Sequence, residues 1–415
     1  MQECLPRKYL RESSMFYLFS LIFFMLGILS RKTMIPFLIV VLIFPFGNAF
    51  SLYFYKSGLY SYDFFFIGFI LSQLVFATYS KRVVLSHINV LIYVVLFVYF
   101  IFAIYNLDWD LYLFRDLRLV LYITYVAVFL AITIEFKSNI ISERTILLLI
   151  LVAALSNIIY LSLSLLGYFS FSDNFYSENS FRYFDVSTYV CSIFVIFYNF
   201  SRKRLSNIVF ILACLCVLIS GIRVLILLTF LLFIFRRVNS ILSILKIFSI
   251  IIIFIILTPF FPGLSDDAVL INRITNLSVD TIYLQITVRY SPFFELLDSF
   301  AWYNYFIGKG IGTTFFIPWF EYRDAKDALN NFIDSTYVTL YSKLGVLFII
   351  YIAGAIITML KIASFNNRKD KIVFIIFSLS LMIVYSLPYQ ASSIGIIIGL
   401  YLIKFNEKIS EERVK

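Results

Sequence analysis

Apolar residues run through this chain in long unbroken blocks, and polar residues gather in the short stretches between them. Blocks such as Val83 to Tyr105 and Leu147 to Tyr168 exceed the roughly 18 apolar residues that mark a membrane-spanning helix. The blocks are continuous rather than alternating, which argues against a transmembrane barrel. Candidate spans lie near Ser13–Ser30, Met34–Phe54, Tyr62–Tyr79, Val83–Tyr105, Arg118–Phe136, Thr145–Tyr168, Val186–Phe200, Ser206–Gly221, Val224–Phe235, Ile244–Phe261, Ile333–Leu360, Ile372–Leu387 and Ala391–Lys404. The expected fold is an all-α polytopic membrane protein of about 12 transmembrane helices, between roughly 11 and 13. Residues 1–415 read as a single integral membrane domain, with one large extracytoplasmic loop over 262–331 inserted between late helices.

Composition agrees with lipid as the main solvent. The 415 residues are 62% hydrophobic and 14% charged, too few polar groups to cover a soluble protein of this size. The formal charge is +10, and its placement matters more than its size. Arg31-Lys32, Lys81-Arg82, Arg202-Lys203-Arg204, Arg236-Arg237, Arg368-Lys369 and the tail after Lys404 form a basic set of connections. By the positive-inside rule these face the cytoplasm. The connections near Asp108–Asp116, Asp173–Asp185 and Leu387–Gln390, and the long loop, then face outward. Basic charge here reports topology, so nucleic acid is not an expected partner. Thirteen spans with a cytoplasmic C-terminus would put the N-terminus outside, whereas Arg7, Lys8 and Arg11 favour the inside; an even count with the N-terminus inside is expected. No A-x-A-like cleavage site follows the first block, which is expected to remain as an anchor.

The four cysteines, Cys4, Cys191, Cys214 and Cys216, have no disulfide or metal-thiolate spacing and read as apolar filler. His87 is the single histidine and lies toward the cytoplasmic face, so no histidine can act outside. Asp266, Asp267 and Asp280 match no cation-site spacing and read as solvated loop charges. No metal and no cofactor are expected.

Four stretches could carry chemistry on the outer face. Ser220-Gly221-Ile222-Arg223 interrupts an apolar run; its arginine is either an anion-binding group or a hairpin-tip residue that snorkels to lipid phosphate. Arg289, ahead of Pro292, offers a planar fork that fits a phosphate, or else pairs with Glu295 or Asp298. Gly308, Gly310 and Gly312, around Lys309, suit positive-φ turns or close approach of backbone to a ligand. The pattern is not a Walker A loop. Asp334 opens the next apolar block, and its spacing puts Tyr337 and Tyr341 on the same helical face. Asp334 is then an N-cap, or a carboxylate serving an acceptor hydroxyl.

As a set, Leu218 to Arg223, Asn304 to Phe315 and Asn331 to Gly345, together with the layout, resemble the Wzy-type O-antigen polymerase family, within the superfamily shared with O-antigen ligases. The resemblance implies a metal-independent glycosyltransferase in the bacterial cytoplasmic (inner) membrane. Such enzymes polymerise undecaprenyl-diphosphate-linked oligosaccharide repeat units into O-antigen or capsule at the outer face. It implies that Arg223 and Arg289 bind the diphosphate and that Asp334 serves the acceptor, with Gly308, Gly310, Gly312 and Tyr337 lining the substrate site. Lipid-linked oligosaccharide, membrane lipid and a chain-length regulator protein are the implied partners. The ligase branch places a histidine near the position of Asp334; its absence here favours polymerase over ligase. A flippase for the same lipid-linked sugars is the other alternative. It should show charges inside spans and two related halves, and the apolar blocks carry little of either.

Overall fold

A computed structural model of the chain describes residues 5–46, 54–56, 58–76, 87–105, 111–135, 142–166, 168, 183–199, 204–237, 279–317 and 328–412. They form α1 (Leu5–Ile28), α2 (Ser30–Ile43), a two-residue hairpin of β1 (Tyr55–Lys56) and β2 (Leu59–Tyr60), α3 (Asp63–Phe76), α4 (His87–Tyr105), α5 (Leu111–Glu135) and α6 (Glu143–Leu165). Next come α7 (Val186–Phe197), α8 (Arg204–Ile219), α9 (Arg223–Arg237), α10 (Val279–Asp298), the single turn α11 (Asn304–Ile307), and the paired β3 (Phe315–Phe316) and β4 (Leu329–Asn330). The chain closes with α12 (Thr336–Leu344), a 3₁₀ turn at Gly345–Leu347, α13 (Phe348–Ala363), α14 (Arg368–Val384), a second 3₁₀ turn at Leu387–Tyr389, and α15 (Ser392–Glu412).

The fold is therefore mostly helical, as the apolar blocks require. Among the described residues three helical stretches are long and apolar enough to cross a membrane: Leu111–Ile134, Glu143–Leu163 and Thr336–Ala363. Seven further apolar helices are shorter. Several expected boundaries move, the span expected over Met34–Phe54 ending at Ile43. The span expected from Arg118 starts at Leu111, so Arg115, Asp116 and Arg118 lie inside a helix. The block from Ile333 is broken after nine helical residues at Gly345. The expected span Ile244–Phe261, and Asp266 and Asp267, lie outside the described residues, whereas the region read as a loop contains the 20-residue α10. The surface fits a lipid solvent. Leu21, Leu74, Phe97, Phe102, Ile211, Leu227, Ile349 and Ile383 are large apolar side chains exposed on seven different helices, a distribution that water would penalise.

α7 sits at the centre, with every residue buried. Asp185 caps it: its carboxylate accepts from the Val186 N–H, and the Thr188 hydroxyl accepts from the Asp185 N–H at 3.1 Å. Around α7 pack α6, α8, α9 and α15. Asn157 of α6 donates to the Thr188 hydroxyl at 2.6 Å and to Cys216 Sγ at 3.0 Å, the kind of interhelical polar contact that joins helices in lipid.

Connections sort to opposite ends of the bundle. At one end Arg236 pairs with Asp370 at 2.7 Å, Arg237 donates to the Tyr198 carbonyl, and Lys369 lies over the Phe235 ring. That end gathers connections of the basic set. At the other end Tyr183 N–H reaches the Ile219 carbonyl at 3.3 Å, and the Tyr189 and Tyr385 rings meet edge to face. α15 is held tight to α7 by glycine: a Cβ at Gly395 would stand 2.4 Å from the Val186 carbonyl oxygen. Gly395→Val must push the two helices apart, and a loss of about 2–3 kcal/mol is expected for such overpacking. Thermal unfolding of the detergent-solubilised protein measures it; an unchanged midpoint would contradict this packing.

Candidate functional site

α5 enters the bundle with a charged second turn, and that turn organises the end opposite the basic set. Asp116 is fully buried and accepts from four donors. Oδ2 takes the Lys343 ammonium at 2.6 Å and the Gly312 N–H at 2.7 Å; Oδ1 takes the Tyr389 hydroxyl at 2.7 Å and the Asn331 amide at 2.8 Å. Lys343, also fully buried, donates further to the Thr313 carbonyl at 2.8 Å. Burial first, and the Asp116 carboxylate second, push the Tyr389 phenol well above its ordinary range, so it stays a proton donor at neutral pH. Every lone-pair direction of the carboxylate is used. Asp116 therefore ties α5, the glycine segment, the approach to α12, α12 itself and the Leu387–Tyr389 turn together.

A second buried pair lies two residues along α5. Arg118 contacts Asp63 at 2.6 Å and the Tyr125 hydroxyl at 3.0 Å, with its guanidinium over the Tyr60 ring at 4.8 Å. The Tyr60 N–H and the Tyr125 hydroxyl complete the shell of Asp63.

The sequence-derived residues fall beside these pairs. Gly221 takes φ +60, and the Ser220–Ile222 turn separates α8 from α9, whose first residue is Arg223. Arg289 is exposed on α10, and its neighbour Tyr290 donates to the Ile383 carbonyl at 2.8 Å. Asp334 is exposed and lies one residue before the N-cap, which is Ser335. Asp334 is thus neither the expected cap nor in helical register with Tyr337 and Tyr341. Ser335 and Thr336 bond the Met382 and Tyr385 carbonyls. Tyr290, next to Arg289, and Ser335 and Thr336, next to Asp334, therefore meet the carboxyl end of α14. Arg223 reaches the same level. α9 packs on α14, and the Arg236–Asp370 pair pins their other ends. Arg223 and Val384 then stand about 20 Å from that pair along their respective helices.

The glycine segment makes the close approach expected of it, to the chain itself. A Cβ at Gly308 would meet the Lys343 carbonyl at 2.4 Å, and one at Gly345 the Phe306 carbonyl at 2.2 Å. Gly308, Gly310 and Gly312 have φ of 71°, 97° and 92°, conformations that suit glycine. Their N–H groups are spent on Asn304, Lys343 and Asp116, and the Lys309 N–H on Ser342. The segment caps the end of α12 instead of offering donors to a phosphate. Tyr337 likewise gives its hydroxyl to the Leu379 carbonyl at 2.9 Å.

Sequence reasoning missed Asp116, Lys343, Asn331, Tyr389, Asp63 and Arg118. The available signal was a charge within an apolar block: Lys343 stands inside one, and an intramembrane ionisable residue asks for a partner.

With this geometry in place, comparison identifies the chain as a member of the DUF6369 family, a family of unknown function whose match covers residues 30–415. No curated protein and no solved structure matches it.

The knot yields a double-mutant prediction. Lys343→Met leaves a buried carboxylate without its countercharge and is expected to cost about 3–5 kcal/mol. Asp116→Asn in the same chain removes the stranded charge, so the double variant should lose less than the two single losses added together. Thermal unfolding in detergent of the four proteins decides; strict additivity would mean the pair does not interact.

Proposed function

We propose, for this member of a family of unknown function, a membrane glycosyltransferase of the O-antigen polymerase type. It transfers a growing glycan from undecaprenyl diphosphate onto the terminal sugar of another lipid-linked repeat unit at the outer face of the bacterial inner membrane. What supports the reading is that the neighbours of Arg289 and Asp334, namely Tyr290, Ser335 and Thr336, bond the carboxyl end of α14, and that Arg223 opens α9, which packs on α14. In the reaction an acceptor hydroxyl oxygen bonds to the anomeric carbon of the donor, the bond from that carbon to the diphosphate oxygen breaks with its electron pair going to the diphosphate, and the hydroxyl proton passes to water. Charge builds on the departing diphosphate, and planar guanidinium forks stabilise such charge. Asp334 is exposed, and its role in this reading is to orient the acceptor hydroxyl. In this reading Gly308, Gly310 and Gly312 shape the wall of the site rather than bind phosphate. A chain-length regulator and the lipid-linked oligosaccharide are the partners.

The two buried ion pairs give a specific reason to weigh a flippase of the same lipid-linked sugars. Their position favours the transferase. Asp116 and Arg118 stand five and seven residues into α5, about 8–10 Å from its start. Transport sites sit near the midplane, and the acceptor capacity of Asp116 is fully used.

A strain lacking the protein should make cell-surface polysaccharide that stops at a single repeat on gels. Arg223→Ala, Arg289→Ala and Asp334→Asn, expressed at normal levels, should each shorten the chains at least about tenfold in yield of long product. Full-length chains from all three would remove the site assignment. Repeat units accumulating on the cytoplasmic side would instead establish a flippase, and long lipid-linked chains that never reach an acceptor a ligase.

A further inference from the structure

The segment Trp302–Ile307 exposes an unusual amount of apolar surface. Trp302 is 77% and Phe306 62% accessible, and Tyr303, Tyr305 and Ile307 are exposed with them. In a segment read as an extracytoplasmic loop, such a run would stand in water. Its depth says otherwise. Phe306 and Ile307 press their backbone against Gly345, which is the tenth residue of the 28-residue apolar stretch Thr336–Ala363. The helix breaks at Gly345, and from there Gly345–Leu347 and Phe348–Ala363 together rise about 30 Å, the thickness of the hydrocarbon core, so Gly345 lies at the level of its boundary. The exposed Val346 and Ile349 continue the same surface on the helix beside it.

Backbone can enter lipid only if its polar groups are satisfied by protein, and most of those from Asn304 to Gly310 are. The N–H groups of Phe306 and Ile307 both go to the Tyr303 carbonyl, and that of Gly308 to Asn304. Those of Lys309 and Gly310 close the end of α12 on Ser342 and Lys343. The Ile307 carbonyl accepts from Tyr99, that of Gly308 from the Asn304 amide, and that of Gly310 from Thr313. Tyr99 also connects the segment to α4, where Phe102, one turn further along the same face, is exposed.

We propose that Trp302–Gly312 is a re-entrant segment seated in the outer leaflet, with the side chains of Trp302, Phe306 and Ile307 packed against lipid acyl chains. This inference is independent of the catalytic reading: it concerns where the segment sits, whatever the protein transfers.

The test uses the full chain reconstituted in phosphatidylcholine vesicles, with Trp302 kept as the single tryptophan by Trp109→Phe and Trp319→Phe. Phosphatidylcholine brominated on its acyl chains should quench Trp302 emission by more than half, while aqueous acrylamide quenches it about tenfold less than free tryptophan. Strong acrylamide quenching without quenching by brominated lipid would overturn the proposal. So would protection from both quenchers, which would mean that protein covers the patch. Should that variant fold poorly, maleimide labelling replaces it. In otherwise unchanged protein Phe306→Cys should react with a membrane-impermeant maleimide at least about tenfold more slowly than Asp298→Cys. Equal rates would overturn the proposal.

Discussion

The buried contact between Asp116 and Lys343 is the constraint on which the end of the bundle opposite the basic connections depends. Two charges removed from water cost several kcal/mol each unless their remaining hydrogen-bonding capacity is met. Three neutral donors to the carboxylate and the Thr313 carbonyl on the ammonium meet it. Those partners come from three separate stretches of chain. Satisfying one ion pair therefore fixes the register of α5, the glycine segment, the approach to α12 and the Leu387–Tyr389 turn at once. The stacked rings of Phe332 and Tyr389 reinforce the same assembly with apolar contact.

From that fixed point the glycine segment follows. Lys343 is held by its side chain while its backbone meets Gly308, and Gly345 two residues on meets Phe306. The break in the helix at Gly345 and the turn at Gly308 are two halves of one contact, each needing a residue without Cβ. The carbonyls freed at the end of α12 would be costly in lipid; the Lys309 and Gly310 N–H groups take them. A helix interruption and a re-entrant loop thus solve each other's hydrogen-bonding problem. The exposed aromatic side of the loop becomes favourable because most of its backbone side is already satisfied.

How far this was readable depended on the range of each signal. Helices follow from composition, because in lipid a helix satisfies its own backbone and apolar blocks declare themselves. The Ser220–Arg223 turn was legible for the same reason: it interrupts a block. The positive-φ glycines were legible as turns, since glycine tolerates that conformation locally. What the turns contact was not, because Gly308 and Gly345 meet across a long stretch of sequence and nothing local marks the pairing. The same holds for Asp116 and Lys343, which are 227 residues apart. Lys343 in an apolar block was a visible anomaly, yet an anomaly names a need for a partner and not the partner. Asp334 shows the opposite failure: local spacing suggested a cap, and Ser335 took the position because Thr336 is anchored to the end of α14.

The rigidity of this knot bears on what kind of machine this end of the bundle can be. Alternating access requires a bundle to exchange two packings in which each buried charge finds a partner in both states. Separating the segments around Asp116 would strand the carboxylate and its donors together, with no second set of partners among the described residues. A transferase needs the reverse: groups held still, so that reorganisation is not repeated in each turnover. Arg223, Arg289 and Asp334 stand on elements that meet the end of α14, and α14 leads directly into the Leu387–Tyr389 turn that Asp116 holds. The costly burial of charge in α5 thus suits the proposed transferase, which needs a fixed site, better than a transport path.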